Sequence, residues 1–169
     1  MKMPHLKKIL ASFLVATLLL ASACTQTAPS RFDQAQRDST KGGVEAVADK
    51  AVKGGSFNKF FPKSQNGYNV VYSQEKKGFA QAKLKKGSQE FATLSISDTT
   101  STPSAASKFK TSSKKIGGYP AVSQGSTGTA VLVGDRFQVK VLSRDSSFTA
   151  RDREAWLQKF NLSGLKRLK

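Results

Sequence analysis

The stretch Gly78-Phe79-Ala80-Gln81-Ala82-Lys83-Leu84-Lys85-Lys86-Gly87-Ser88-Gln89-Glu90-Phe91-Ala92-Thr93-Leu94-Ser95-Ile96-Ser97-Asp98 decides the fold. In its first part Ala80, Ala82 and Leu84 point one way and Gln81, Lys83 and Lys85 the other. After the turn Lys86-Gly87-Ser88, Ala92, Leu94 and Ile96 alternate with Thr93, Ser95 and Ser97. Successive side chains of a strand leave on opposite faces, so a period of two marks two half-buried strands. A turn this short permits only antiparallel pairing. The stretch therefore predicts a hairpin, Gly78–Lys85 with Glu90–Asp98, that has one apolar and one polar, cationic face.

Upstream, Tyr68–Gln74 reads as a preceding strand, and Phe57, Phe60 and Phe61 as a short apolar turn of helix stopped at Pro62. Downstream, Thr102-Pro103 opens a helix to about Lys110, with a capping hydroxyl before a proline at the first helical position. Its expected core contacts are Ala105, Ala106 and Phe109. The pattern then restarts. Gly118-Tyr119-Pro120-Ala121-Val122-Ser123-Gln124 echoes Gly67-Tyr68-Asn69-Val70-Val71-Tyr72-Ser73-Gln74. Strands at Thr129–Val133 and Arg136–Leu142 follow, the latter with Phe137, Val139 and Val141 inward and Arg136, Gln138 and Lys140 outward. Thr149 with Asp152 resembles a capping box and opens a last helix expected to pack Trp156, Leu157 and Phe160 on the sheet, and Leu162, Leu165 and Leu168 continue the apolar series. Strand, strand, strand, helix thus occurs twice, as in an internal duplication. The expected class is α+β: a single antiparallel sheet of about six strands with helices mainly on one face. This outline is similar to that of the PsbP family of photosystem accessory proteins and their bacterial lipoprotein relatives. Gly118-Tyr119-Pro120-Ala121-Val122 before a hairpin looks like the strand opening of some members, but the resemblance carries no functional residue onto this chain.

The N-terminus has the order of an export signal: Lys2, Lys7 and Lys8, then the uncharged Ile9–Leu20, then small residues. Crossing a bilayer core takes about 20 apolar residues, and the polar Thr25-Gln26-Thr27 closes this segment first. Ala21-Ser22-Ala23-Cys24, ending in the only cysteine, resembles the lipobox of bacterial lipoproteins, with Ala21 where Leu is commonest. The resemblance implies diacylglycerol on the Cys24 sulfur and cleavage before Cys24. Two acyl chains then hold the mature protein durably on the extracytoplasmic (periplasmic or lumenal) side of a membrane. The alternative is an ordinary signal peptide that leaves Cys24 a free thiol. The chain divides into a signal at 1–23, a lipidated tether at 24–55 and a basic domain at 56–169. The tether is rich in small polar residues, with Val44–Lys53 a marginal helix.

Removing 1–23 takes away three lysines and the only histidine, His5, and leaves 25 Lys and Arg against 11 Asp and Glu, a formal +14. Without histidine or free thiol, the mature chain has no His-dependent triad, cysteine nucleophile, or His or Cys metal site. The reading is accordingly non-enzymatic, with no metal and no cofactor. The charge implies an anionic protein or lipid surface as partner. Nucleic acid is set aside because the chain is exported.

The leading candidate site is the outward row Lys83, Lys85, Arg136 and Lys140. Others are the basic hairpin tips Lys76-Lys77 and Lys85-Lys86, the loops Gly117-Gly118 and Gly125-Ser126-Thr127-Gly128 as phosphate cradles, and Trp156, read as core. Asp145, Asp152 and Glu154 read as capping or solvating acids. A rival reading is an envelope enzyme using carboxylates or Ser–Lys chemistry. Ser-x-x-Lys spacing recurs at Ser56, Ser73, Ser107, Ser112 and Ser163, without the companion motifs of penicillin-binding enzymes. A third reading, a small-ligand carrier, requires an apolar cavity between sheet and helices.

Overall fold

The computed structural model describes residues 50–168. The signal, Cys24 and the tether up to Asp49 lie outside the described residues, as does most of the expected Val44–Lys53 helix. The chain forms one open antiparallel sheet from β1 (Asn69–Lys76), β2 (Phe79–Lys86), β3 (Gln89–Asp98), β4 (Lys115–Ile116), β5 (Tyr119–Gln124), β6 (Gly128–Val133) and β7 (Phe137–Ser143). The spatial order is β1-β2-β3-β7-β6-β5-β4. Two meanders meet through their last strands, with Leu94 opposite Val141 and Ser95 opposite Lys140. The sheet has seven strands rather than about six, because the two residues of β4 pair with Tyr119 and Pro120.

The alternation places the core. Ala80, Ala82, Leu84, Leu94, Ile96, Val131, Val139 and Val141 all point to one face and are fully buried. That inner face is covered by a 3-10 helix, Gly54–Phe60, and by helices α2 (Ala150–Leu157) and α3 (Leu162–Lys166). Phe57 meets Phe137 edge-on at 5.8 Å, and Tyr68 meets Trp156 at 5.6 Å. Each such large apolar side chain stabilises the fold by about 1.5–3 kcal/mol on burial. The expected capping box starts α2: the Asp152 carboxylate accepts the Thr149 amide at 2.8 Å while the Thr149 hydroxyl oxygen accepts the Asp152 amide. Between β6 and β7, Gly134 (φ 60°) and Asp135 (φ 56°) both adopt the left-handed conformation at the centre of a tight turn that the Arg136 amide closes on the Val133 carbonyl at 3.2 Å.

Two expectations are corrected. The helix after Pro103 is only α1 (Ser104–Ser107); Thr102 makes no side-chain cap, and the chain continues as tight turns through Phe109 and Lys110. This segment covers the outer face, where Phe109 packs on Ala130 and Leu132 over β5 and β6. The domain also begins before Ser56, since Ala51, Val52 and Gly54 are buried. There the chain is held to the β1–β2 hairpin: the Gly78 amide donates to the Val52 carbonyl at 2.7 Å.

Candidate functional site

Over β2, β3 and the start of β1, the outer face carries no helix, and its floor is polar: Thr93, Ser95 and Gln138 lie buried between longer side chains. Lys83 is exposed here, and Lys85 and Lys140 are half-buried. The register explains their placement: Lys83 stands opposite Thr93, Lys85 opposite Glu90, and Lys140 opposite Ser95. Three of the four expected cations therefore share this face.

Arg136 does not. It lies in the β6–β7 turn, where Nη2 is 2.8 Å from Asp98 Oδ2 and Nε 3.1 Å from Oδ1, and it also donates to the Lys50 carbonyl at 3.0 Å. The Asp98 side chain is fully enclosed. Burial pushes its carboxyl up, but the hydrogen bonds from Arg136, Thr100 and Val52 outweigh this and hold it at about 2. Arg136 is thus a structural cation that ties the incoming chain to the sheet.

Two cations not anticipated join the face. Arg144 donates from Nε to the Thr93 hydroxyl at 2.8 Å. Lys108, carried over the sheet by the Pro103–Ser112 segment, is held below its usual range by desolvation and by the neighbouring Lys140. The one acid among them, Glu90, contacts Lys83 at 2.9 Å and Arg144 at 3.9 Å. The hydrogen bond from Lys83 is the main cause of its lowered pKa. A shallow depression of about 500 Å³ opens between Lys83, Glu90, Thr93 and Arg144. Among the described residues neither Lys85 nor Lys140 is ion-paired. The Glu90–Lys85 pairing follows from counting back across the Gly87-Ser88 turn; nothing local in the sequence brings Lys108 to this face.

The other candidates separate. The tips Lys76-Lys77 and Lys85-Lys86 sit at opposite ends of β2, about 23 Å apart at 3.3 Å per residue, so they form no joint surface. The Ser126 carbonyl in the Gly125–Gly128 loop accepts from Arg153 at 3.1 Å. Arg153, on the buried side of α2, also donates to the hydroxyls of Thr129 (3.0 Å) and Ser143 (2.8 Å). Trp156 is core, 5% exposed. Asp152 caps α2, Asp145 accepts the Ser147 amide at 2.9 Å, and Glu154 pairs with Lys114. In a base-activated nucleophile the hydroxyl proton points at the base; in three of the five Ser–Lys strings the hydroxyl donates to a carbonyl instead. Ser73 donates to the Gln81 carbonyl, Ser107 to Ser104 and Ser112 to Ala121. The ammonium groups of Lys59 and Lys76 lie over the rings of Phe60 and Phe79. Between sheet and helices, where a carrier needs space, Phe57, Leu94, Val139, Leu157 and Leu165 are packed to at most 1% exposure.

No protein-family model, curated protein or solved structure matches the chain.

Proposed function

We propose that this chain is a lipoprotein anchored through Cys24 on the extracytoplasmic side of a membrane, and that it acts without catalysis as a binding module for an acidic partner. The observation that carries the binding role is the uncovered outer sheet face. Among the described residues, Lys83, Lys85, Lys108, Lys140 and Arg144 share that face with the acid Glu90, above a polar floor. Cations fixed on strands offer carboxylates or phosphates a preformed surface, and the half-burial of Lys85 and Lys140 strengthens each contact relative to one in open solvent. The hydroxyl protons committed to carbonyls support the non-catalytic reading.

We also infer that the two meanders arose by duplication. A three-stranded unit, β1–β3, and a four-stranded one, β4–β7, pair through their last strands, β3 and β7; apart from the two-residue β4, this is what a dyad between those strands would generate. The helices break that symmetry, since α1 lies on the outer face and α2 on the inner.

The test is affinity capture of the full-length protein from its native membranes, alongside a Lys83→Gln, Lys85→Gln, Lys140→Gln variant. An acidic protein that is captured at low salt and lost both at high salt and with the variant is the expected result. An identical captured set from both forms refutes the face. Mass spectrometry of the mature N-terminus, expected to carry diacylglycerol on Cys24, tests the anchor separately.

A further inference from the structure

We infer that the end of the domain where the N-terminal arm joins it is a second, distinct binding surface, and that it lies against anionic lipid headgroups. This rests on the anchoring reading and names what the anchored domain does next to the bilayer.

The arm reaches the fold at Lys50-Ala51-Val52-Lys53 and is fastened there by independent contacts. Val52 bonds through its carbonyl to the Gly78 amide and through its amide to Asp98, and Arg136 holds the Lys50 carbonyl. Gly54 lies so close to the hairpin that a Cβ would be 2.6 Å from the Lys76 nitrogen. The fastening brings the exposed lysines of the arm, Lys50 and Lys53, to the exposed lysines of the β1–β2 tip, Lys76 and Lys77. Lys53, Lys76 and Lys77 line one open depression of about 610 Å³. Glu75 lines the same depression, three lysines to one acid, and its carboxylate accepts a hydrogen bond from the Asn58 side-chain amide.

Charge and tethering point to the same partner. Only the 25 residues Thr25–Asp49 separate Cys24 from this cluster, so an acyl anchor keeps these four lysines at a high local concentration of headgroups. Each lysine near an anionic leaflet then favours the docked state about fivefold. Docked this way, β1 and β2 stand end-on to the membrane. The outer sheet face looks sideways, toward a partner on the same membrane.

The acylated full chain is reconstituted into vesicles of phosphatidylcholine alone and with about 30% phosphatidylglycerol. Lysines are labelled with a soluble acetylating reagent, and rates are read residue by residue by mass spectrometry. The expected result is that Lys50, Lys53, Lys76 and Lys77 label about fivefold or more slowly on the anionic vesicles, that high salt abolishes the difference, and that Lys83, Lys85 and Lys140 label equally on both. Protection of Lys83, Lys85 and Lys140 instead, or uniform protection, overturns the inference. A chain that floats with neutral vesicles yet shows no footprint overturns this inference alone; one that does not float overturns the anchor as well.

Discussion

Asp98 offers the sharpest test of how the arm is fixed. Its carboxylate accepts from Arg136 twice, from the Val52 amide at 3.1 Å and from the Thr100 amide at 3.1 Å, with no side-chain exposure. The carboxyl sits at about 2 in the fold against 3.8 in the unfolded chain, a gap that corresponds to about 2 kcal/mol of stability. Because the folded value is the depressed one, this contribution is complete above about pH 5, falls as the pH drops through 3.8, and is nearly gone at pH 2. Asp98→Asn removes the charge but keeps the shape. Urea unfolding followed by the fluorescence of Trp156, the only tryptophan, should therefore show the variant about 2 kcal/mol less stable at pH 7. That is a midpoint about 1–2 M lower. The two midpoints should converge toward pH 2. Asp145, Asp152 and Glu90 also titrate low, but they do so in both proteins and drop out of the difference. Parallel pH curves for parent and variant would refute the argument, because they would mean that the Asp98 carboxylate does no more than an amide at this point.

Two further outcomes follow from buried polar and close-packed positions. Arg153→Ala should lower stability by about 2–3 kcal/mol by leaving the hydroxyls of Thr129 and Ser143 and the Ser126 carbonyl without their donor. Arg153→Lys should recover less than half of this, since one ammonium cannot replace a three-way fork; full recovery in urea unfolding would show that charge alone matters. Gly54→Ala places a Cβ 2.5 Å from the Lys76 carbonyl oxygen and should cost about 2 kcal/mol or more by overpacking. Faster hydrogen exchange at the Val52 and Gly78 amides should accompany it, and an unchanged exchange rate at Gly78 would count against the fastening of the arm.

Much of the fold was legible because its information is local. The period of two in Phe79–Lys86 and Gln89–Asp98 fixes which side chains share a face, and the Thr149–Asp152 pair announces its helix within one turn. The covering of each face was not legible in the same way. Phe109 is as apolar as Phe57, and both are buried, but one packs on the outer face and the other on the inner. Which side a connection crosses depends on where the strands end, not on the composition of the connection. Ala51–Gly54 reads as linker because it is small and polar-flanked; its burial comes from the Gly78, Asp98 and Arg136 contacts, all distant in sequence.

The candidate site was legible only in sign. Alternation correctly sets Arg136 opposite in sense to the inward Phe137, but by position 136 the chain has left the strand, and the side chain turns to a carboxylate 38 residues upstream. The excess of positive charge is therefore not one resource. Arg136 and Arg153 are committed to holding the fold, Lys83 shares Glu90 with Arg144, and Lys85 and Lys140 are left half-buried without an ion pair among the described residues. A cation that has no ion pair gains most when an anion arrives, because no existing partner has to be displaced. The affinity of the outer face should thus reside in Lys85 and Lys140 more than in the more exposed Lys83, an order that a count of charges along the sequence has no means to supply.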